Sequence, residues 1–224
     1  MERNAPNIAK NKAIFLFSFA RALCVLKYGK QNFYSAMQVT IHRQKEQCFY
    51  ELGREWYGRE VNPPIRYRLT LTDAGLLFEA ERAEPAAVHP DARPGCFQEE
   101  LWRYDVAEFF IANADASRYL EMNLSPNGAW WGCVFSAPRV VDAAASALLR
   151  IGQASGCATT DGWQASLLLP KDVMDALGLV PENCRLAVCA VLEAPEYIYL
   201  TTANACDTQP DFHRPDLWCS PILD

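Results

Sequence analysis

The segment from Trp102 to Phe135 constrains the fold of this chain more than any other part of the sequence. It divides into three strand-like runs, and the last two are separated by the turn-forming residues Ser125-Pro126-Asn127-Gly128. The run Asp105–Ile111 is apolar on both faces, as expected for a strand in the middle of a sheet. These features predict a sheet of neighbouring strands at the centre of a β-protein.

Two registers are compatible with the turn. A two-residue loop at Asn127-Gly128 would pair Trp131 with Leu124 and direct Trp131 into the core. A type I turn closed by a glycine bulge shifts the pairing by one residue, so that Trp130 joins Leu124 in the core. Trp131 then faces outward beside Asn123. Because Pro suits the first central position of a type I turn and Gly the left-handed position that follows, the sequence favours the second register.

The rest of the chain adds further strands and little helix. Strand-like patterns cover Met37–His42, Arg66–Leu71, Leu76–Arg82, Trp163–Leu169, Arg185–Val191 and Tyr197–Thr201. Pro170 and Gly178 enclose a short predicted helix, and the alanine-rich segment from Val140 to Leu149 is helical by propensity. The sequence therefore predicts an all-β fold, a two-sheet antiparallel β-sandwich with one or two short helices.

Residues 1–36 differ from the remainder. Their apolar run Ala13–Ala20 is followed by Arg21 and is shorter than the roughly 20 residues of a membrane-spanning helix, so no transmembrane span is predicted. The segment is compatible with a signal or anchor, with a helix, or with a wrongly assigned start that precedes a true first residue at Met37. Strand patterning begins at Met37 and no linker or repeat follows, so residues 37–224 are predicted to form one domain.

Charge and cysteine content argue against several classes of protein. The net charge is −6 and no basic stripe is present, so nucleic acid is not a predicted partner. None of the nine cysteines forms a Cys-x-x-Cys pair, which argues against a zinc site. Disulfide frameworks belong mainly to short secreted chains, so reduced thiols and a cytoplasmic location are favoured over a secreted or periplasmic one.

The sequence contains no recognisable catalytic constellation, and we predict that the protein is not an enzyme. A Gly-x-Ser-x-Gly elbow, a phosphate-binding loop and a His-Glu-x-x-His pair are all absent. The three histidines, His42, His89 and His213, are far apart along the chain. A metal centre built from these histidines is therefore weakly supported.

Asp105 and Glu108 are the acids that stand out, because they lie in or beside an apolar strand. A buried carboxylate must be paired or hydrogen-bonded, for example by Arg103 or Arg139, or its pKa rises. The alternative is contact with a ligand or with Ca²⁺ at the end of the sheet. As a catalytic pair they are disfavoured, because their odd separation places the two side chains on opposite faces of a strand.

One face of the Tyr119–Phe135 hairpin combines aromatic rings with hydrogen-bonding groups. An indole can stack on the C–H face of a sugar while amide and carboxylate groups bind its hydroxyls. We therefore predict a mono- or oligosaccharide ligand, with Trp131 as the stacking platform and Glu121 and Asn123 as its polar partners. Further candidate ligand-binding residues are Trp102, Asp105 and Tyr119. The alternatives are an ordinary solvated surface for Glu121 and Asn123, and core packing for Trp102 and Trp163.

Two segments carry a resemblance to a known family. The runs LWRYDVAEFF (Leu101–Phe110) and YLEMNLSPNGAWW (Tyr119–Trp131) resemble the DOMON-like domains related to carbohydrate-binding module family 9. Gly162-Trp163 before a strand ending in Pro170, and the late segment Pro210–Pro215, fit the same pattern. The likeness covers Met37 to Leu217. It implies an immunoglobulin-like or jelly-roll sandwich and a strand, rather than a helix, over Ala147–Ala154.

The resemblance also carries functional expectations. Relatives bind sugars, some with structural Ca²⁺, and other DOMON domains bind haem through Met and His. No cofactor is firmly implied for this chain; a haem- or metal-binding redox domain would use His213 or His89 with Met122. A protein-interaction module that uses the same aromatic face is another alternative. Many stand-alone bacterial members have no established activity, and the resemblance implies a bacterial binding module.

Overall fold

The computed structural model describes residues 38–43, 48–194, 196–204 and 209–224. The predicted extension, residues 1–36, and the predicted start at Met37 lie outside these residues. Strands make up 49% of the structure and helices 11%, and the strands form two sheets. The predicted class, an all-β two-sheet sandwich with short helices, is therefore confirmed. No helix among the described residues has the length and apolarity needed to cross a membrane.

Thirteen strands lie within the described residues. They are β1 (Thr40–His42), β2 (Tyr50–Arg54), β3 (Glu60–Thr72), β4 (Gly75–Arg82), β5 (Val106–Asn113), β6 (Tyr119–Leu124), β7 (Trp130–Ala137), β8 (Val140–Val141), β9 (Gln153–Thr159), β10 (Gly162–Pro170), β11 (Cys184–Leu192), β12 (Ile198–Thr201) and β13 (Ile222–Leu223). The helices are α1 (Ala143–Ser146) and α2 (Lys171–Leu177), with 3-10 turns at Leu101–Arg103, Pro181–Asn183 and Pro215–Leu217.

The first sheet has the strand order β13-β1-β3-β4-β10-β9, with β2 also paired to β3. The second sheet has the order β12-β11-β5-β6-β7-β8. The strand β1 pairs in parallel with both β13 and β3, whereas the other strand pairs are antiparallel. The strand β5 lies in the middle of its sheet, between β11 and β6, which explains why its sequence is apolar on both faces.

The main apolar core lies between the two sheets. Phe78 of β4 and Phe109 of β5 meet there edge to face, with ring centroids 5.3 Å apart. Met122 of β6 and Leu167 of β10 are buried in the same core. Full burial of each such side chain contributes roughly 1.5–3 kcal/mol, so the contact between sheets is the principal source of stability.

The hairpin between β6 and β7 has the register that the turn residues favoured. Asn123 lies opposite Trp131, and Leu124 lies opposite Trp130. Gly128 has a φ of +87°, and its backbone N–H donates to the carbonyl of Ser125 at 2.8 Å. The prediction of a turn with a left-handed glycine is therefore confirmed, and Trp131 is placed on the outer face of the second sheet.

The segment after β7 follows neither sequence expectation fully. The predicted helix over Val140–Leu149 is wrong except at α1, because Val140 and Val141 pair with the end of β7. Asp142 caps α1 by accepting a hydrogen bond from the Ala145 amide at 2.9 Å. The strand implied for Ala147–Ala154 begins only at Gln153 and continues to Thr159. In contrast, α2 matches its prediction, since Gly178 ends it with a φ of +69°.

The second sheet is covered on its outer face as well. Phe110 and Tyr119 from β5 and β6 pack there against Trp218, with ring centroids 5.4 Å apart in each case. Phe212 and His213 from the same late segment also contact Phe110. This outer layer, contributed by residues 209–218, leaves part of the face uncovered, and a cavity remains there.

Candidate ligand-binding site

A cavity of about 420 Å³ lies on the outer face of the second sheet. Aromatic side chains, two acids, an arginine and a histidine line it: Trp102, Glu108, Phe110, Glu121, Trp131, Phe135, Arg139, Val191, Tyr199, Pro210, Phe212 and His213. Its volume and its mixture of aromatic walls with few polar groups are typical of a small-molecule site.

Two rows of side chains cross the second sheet, and Glu108, Trp131, Phe110 and Glu121 from these rows line the cavity. One row contains Cys189, Glu108, Asn123 and Trp131, which lie opposite one another on four adjacent strands. The next contains Ala187, Phe110, Glu121 and Cys133. Glu108 and Glu121 are therefore diagonal neighbours on β5 and β6, a separation that long side chains can bridge.

The loop before β5 fixes the orientation of Trp131. Residues of this loop hydrogen-bond to the start of β7: the Gln98 amide donates to the Trp130 carbonyl at 2.9 Å, and the Trp130 amide donates to the Cys96 carbonyl at 3.0 Å. This places Glu99 beside Trp131, whose Nε1 donates to Glu99 Oε2 at 2.7 Å. The indole N–H is thus occupied, and the ring face is the part of Trp131 that remains for a ligand.

Trp102 forms an aromatic corner with Trp131. The two ring centroids lie 5.0 Å apart and the ring planes meet at 70°. Trp102 sits in the 3-10 turn Leu101–Arg103, which is anchored by the fully buried Leu101. Its side chain is 39% exposed. The alternative of core packing for Trp102 is therefore wrong, whereas Trp163 is buried as that alternative predicted.

Glu108 and Glu121 are almost entirely buried, with 2% and 6% exposure. Burial raises the pKa of Glu121 to about 7. Burial and the neighbouring Glu121 carboxylate both raise the pKa of Glu108 well above its usual range. The predicted compensation by Arg103 or Arg139 is wrong, because Arg103 pairs with Glu100 and Arg139 with Asp211.

His213 does not neutralise these acids. Burial and the nearby Arg139 lower its pKa to about 4, so the ring is neutral at neutral pH. Its Nδ1 lies 2.8 Å from the Tyr119 hydroxyl, which accepts a hydrogen bond from the Arg139 backbone amide at 3.0 Å. We assign the phenol proton to the contact with Nδ1, which leaves the ring proton on Nε2 facing Glu121 at 3.6 Å.

Asn123 is fully buried between Glu108 and Trp131 in its row. Its amide lies close enough to Glu121 to lower the pKa of that acid, but neither its Nδ2 nor its Oδ1 has a hydrogen-bond partner of ordinary geometry. A buried amide without partners costs free energy. The alternative of an ordinary solvated surface for Glu121 and Asn123 is wrong, because both side chains are buried.

The structure brings some of the predicted site residues together and separates others. Trp131, Trp102 and Glu121 line the cavity. Tyr119 lies on the same face but is fully buried, stacked on Phe135 at 4.8 Å. Asp105 is not among the lining residues; its carboxylate accepts hydrogen bonds from the backbone amides of Ala87 and Ala194, at 3.3 and 3.1 Å.

Met122 and the histidines named with it do not form a joint site. Met122 is buried in the core between the sheets, whereas His213 lies on the outer face of the second sheet. His89 instead packs edge to face on Tyr104 in the long loop, with ring centroids 4.8 Å apart. Within the described part of the chain, no group of three or more His, Cys, Asp or Glu side chains is placed to hold a metal ion. Structural Ca²⁺ and haem stay predictions of the resemblance.

A larger concavity of about 580 Å³ lies along the first sheet, lined by residues of β2, β3, β4, β9 and β10. Its cations are already paired: Arg66 with Glu81 at 2.5 Å, and Arg82 with Glu193 at 3.0 Å. The smaller cavity is therefore the better candidate, since its acids lack such partners.

Sequence reasoning missed the contributions of Tyr199, Phe212 and His213 to the cavity wall. It also treated Glu108 and Glu121 separately, although the strand register makes them neighbours. The alternation of side chains along β5 and β6 places both acids on the same face of adjacent strands, and this could have indicated that they are neighbours. The wall residues come from segments distant in sequence, and no local pattern marks them.

The fold is a two-sheet β-sandwich, and the cavity on the outer face of its second sheet is a candidate ligand-binding site. Similar solved structures include a Bacteroides uniformis protein proposed to be carbohydrate-binding, with a TM-score of 0.58 at 13% identity over 79% of this chain and 86% of that one. They also include a carbohydrate-binding module of family 9 from Caldicellulosiruptor kristjanssonii in complex with glucose, with a TM-score of 0.52 at 11% identity over 79% and 84% of the two chains. At these identities the likeness shows a shared fold.

A carbohydrate-binding module of family 9 from the same organism, in complex with cellotriose, has a TM-score of 0.51 at 10% identity. The match covers 83% of this chain and 92% of that one. No protein-family profile matches the chain. Among curated sequences, the rat UPF0462 protein C4orf33 homolog is 40% identical over 68 residues, or 29% of this chain and 33% of the rat protein. The human UPF0462 protein C4orf33 is 33% identical over 84 residues, or 35% of this chain and 41% of the human one.

The matched segments therefore span less than half of each curated relative. Both of these relatives are mammalian, which makes the expected bacterial origin doubtful.

Proposed function

We propose that this protein binds a carbohydrate in the cavity beside Trp102 and Trp131, without catalysing a reaction on it. The observation that carries the proposal is the aromatic corner of the two tryptophans above a floor with two acids that have no cationic partner among the described residues. An indole face stacks on the C–H face of a sugar ring, while carboxyl groups bind the hydroxyls at its edge. The cavity combines both kinds of group within reach of one small ligand.

The fold comparisons support this proposal. Carbohydrate-binding proteins share the two-sheet architecture, and the family 9 module was solved with glucose and with cellotriose. The membership of this chain among DOMON-like domains remains part of the proposal, on the motifs described above. Fold likeness alone does not determine function, so the argument depends on the cavity.

The proposal gives each group a role. The free ring face of Trp131 is the stacking platform, and Trp102 forms the adjoining wall. Glu121 and Glu108 supply hydrogen bonds from the floor, and Asn123 lies between the acids and the platform as a further partner. Tyr119 holds His213 and the Arg139 backbone in place and thereby shapes the wall opposite the tryptophans.

Titration with mono- and oligosaccharides, followed by tryptophan fluorescence and calorimetry, tests the proposal. We expect saturable binding of at least one sugar class, and a loss of about 10-fold or more in affinity for Trp131→Ala, because stacking contributes on the order of one tenfold step or more. Trp163→Phe is the matched control, since Trp163 is buried in the other sheet.

Unchanged sugar binding by a folded Trp131→Ala protein would remove the assignment of the platform. Failure of the folded wild-type protein to bind any sugar of the panel would remove the carbohydrate function. A Soret band after addition of haem would support the haem-binding alternative instead.

A further inference from the structure

We infer that the cavity selects sugars that carry a positively charged amine over neutral sugars of the same ring, an inference that rests on the proposed carbohydrate function. The amine would be held by the Glu108–Glu121 pair at the floor and surrounded by the aromatic wall. A protonated amine supplies three hydrogen-bond donors and a positive charge, and both are missing from the floor of the cavity.

The first observation is that the two acids have no cationic partner. No Lys or Arg of the described residues forms an ion pair with Glu108 or Glu121, and the base nearest to Glu121 is the neutral His213, whose Nε2 lies 3.6 Å from its carboxylate. The carboxyl groups face a cavity and belong to adjacent strands, so one cationic group can contact both. Buried acids are normally paired with a cation or hydrogen-bonded, and among the described residues neither acid has a cationic partner.

The second observation is the fully buried Asn123. Its Oδ1 is an acceptor without a donor, and it lies in the same row as Glu108 and beside Glu121. Asn123 does not line the cavity itself, but its Oδ1 adds an acceptor directly beside the two carboxyl groups that do. This set of acceptors is complementary to an ammonium group, whereas a single sugar hydroxyl offers one donor.

The remaining charged and titratable groups around the pair do not supply that cation. His213 is neutral at neutral pH. The Arg139 guanidinium lines the cavity and lowers the pKa of Glu121 through its charge, but its ion pair is with Asp211, at 2.8 Å. The Cys189 and Cys133 thiols and the Tyr199 phenol have raised pKa values and stay uncharged. Tyr119 also stays neutral, because burial raises its pKa to about 12. Glu99, which accepts the Trp131 indole N–H, is an acid and supplies no cation either.

The aromatic wall favours the same ligand. Trp102, Trp131, Tyr199 and Phe212 line the cavity around the acids. The faces of aromatic rings attract cations, most strongly for Trp, and the attraction grows as water is excluded. A ligand that carries both a sugar ring and an ammonium group therefore matches the walls as well as the floor.

Glucosamine, N-acetylglucosamine and glucose are suitable probes, because they differ only in the group at C2 and only glucosamine carries a charged amine. Their affinities are measured by calorimetry with the full chain at about pH 7 and about pH 5. We expect glucosamine to bind about 10-fold more tightly than either neutral sugar at about pH 7, since a hydrogen bond to a charged group contributes on that order. At about pH 5 the acids are protonated, and we expect the ratio to fall to about 2-fold or less.

Variants test the same ratio at about pH 7. Both variants keep the shape of the side chain. Glu121→Gln removes the carboxylate that is partly ionised near pH 7, and Glu108→Gln replaces a carboxyl oxygen that would accept from the amine by an amide group, so each is expected to lower the preference for glucosamine by about 3-fold or more. Glu182→Gln is the matched control, because Glu182 is an exposed acid that pairs with Arg43 outside the cavity. The pH series on the wild-type protein needs no variant and keeps the test decisive if a variant does not fold.

The outcomes separate the two proposals. Equal binding of glucose and glucosamine at about pH 7 would overturn the amine selectivity and leave the carbohydrate function standing. Amine selectivity that is unaffected by pH and by both variants would also overturn it, because the amine would then contact other groups. Absence of binding by all sugars would remove the carbohydrate function, and the present inference with it.

Discussion

Trp131 and Glu99 are joined by a hydrogen bond of 2.7 Å from the indole Nε1 to the carboxylate. The bond links the long loop before β5 to the outer face of β7, and it determines which part of the indole is free. The ring is thereby held in place before a ligand arrives, and such preorganisation lowers the entropic cost of binding.

Substitution of Glu99 tests that role. We expect Glu99→Ala to weaken sugar binding about 3- to 10-fold, because the Trp131 ring gains rotational freedom, and to change the free energy of unfolding by less than about 1 kcal/mol. Glu99→Gln retains an acceptor oxygen and is the matched control, expected to bind nearly as well as wild type. Calorimetry and urea denaturation of both variants check the prediction; equal affinities for Glu99→Ala and wild type would contradict it.

The stability of the protein is expected to depend on Glu121. Its pKa is near 4.5 in the unfolded chain and about 7 in the fold, so folding favours the protonated form. The free energy of unfolding should therefore be highest, as far as this group is concerned, below about pH 4.5 and decline as the pH rises through about 7. The shift corresponds to a decline of about 3 kcal/mol.

Glu121→Gln should reduce that decline and make the protein more stable than wild type above about pH 7. In the Glu121→Gln protein, part of the decline in the free energy of unfolding remains, because burial raises the pKa of Glu108 as well. His213 acts oppositely on the acid side: its lowered pKa removes stability as the pH falls from about 6.5 to about 4. Urea denaturation between about pH 4 and pH 9 measures the effect, and parallel stability curves for Glu121→Gln and wild type would refute it.

Tyr119→Phe removes the hydroxyl that joins His213 to the backbone of Arg139. The Arg139 amide and His213 Nδ1 then lose a partner, and we expect a loss of about 1–2 kcal/mol in the free energy of unfolding. The ring of Phe retains the stack on Phe135, so the fold should persist. Phe135→Leu, which removes the stack but keeps the hydroxyl, is the comparison; a Tyr119→Phe protein as stable as wild type would show that the hydroxyl contributes nothing.

Gly128→Ala should destabilise the hairpin that carries Trp131. The residue has a φ of +87°, and a Cβ atom built there would lie 2.4 Å from the backbone of Ser155 and Gly156. Left-handed strain and this overlap together predict a loss of about 3 kcal/mol or more. Gly178→Ala is the control, since Gly178 is also left-handed but an added Cβ meets nothing within 4 Å. Thermal unfolding of the two variants gives the comparison, and equal losses would show that strain alone accounts for the effect.

The parts of this structure that local chemistry determines were predictable. The Pro126-Asn127-Gly128 turn fixed the register of Asn123 with Trp131, and Pro170 with Gly178 fixed the limits of α2. The unusual burial of Glu108 followed from its apolar neighbours. Each of these features is determined by residues that lie close together in the sequence.

Local sequence patterns could not predict how far the outer face of the second sheet is covered by distant segments of the chain. Tyr119 and His213 are 94 residues apart, and their contact buries a face that appeared open in the hairpin alone. The exposure of Trp102 likewise depends on how a loop folds back onto β7. Only α1 forms within the helix expected over Val140–Leu149, because the pairing of Val140 and Val141 with β7 outweighs the helix propensity of the alanines.

The parallel pairing of β1 has a consequence for the order in which the chain assembles. This three-residue strand lies between β3 and β13, and β13 belongs to the last residues of the chain. Contacts between such distant segments close a long loop and gain little until the rest of the sheet exists. Amide hydrogens of β1 and β13 should therefore exchange with solvent earlier than those of β5 and β11. This edge of the first sheet would then unfold locally while the cavity on the second sheet stays intact.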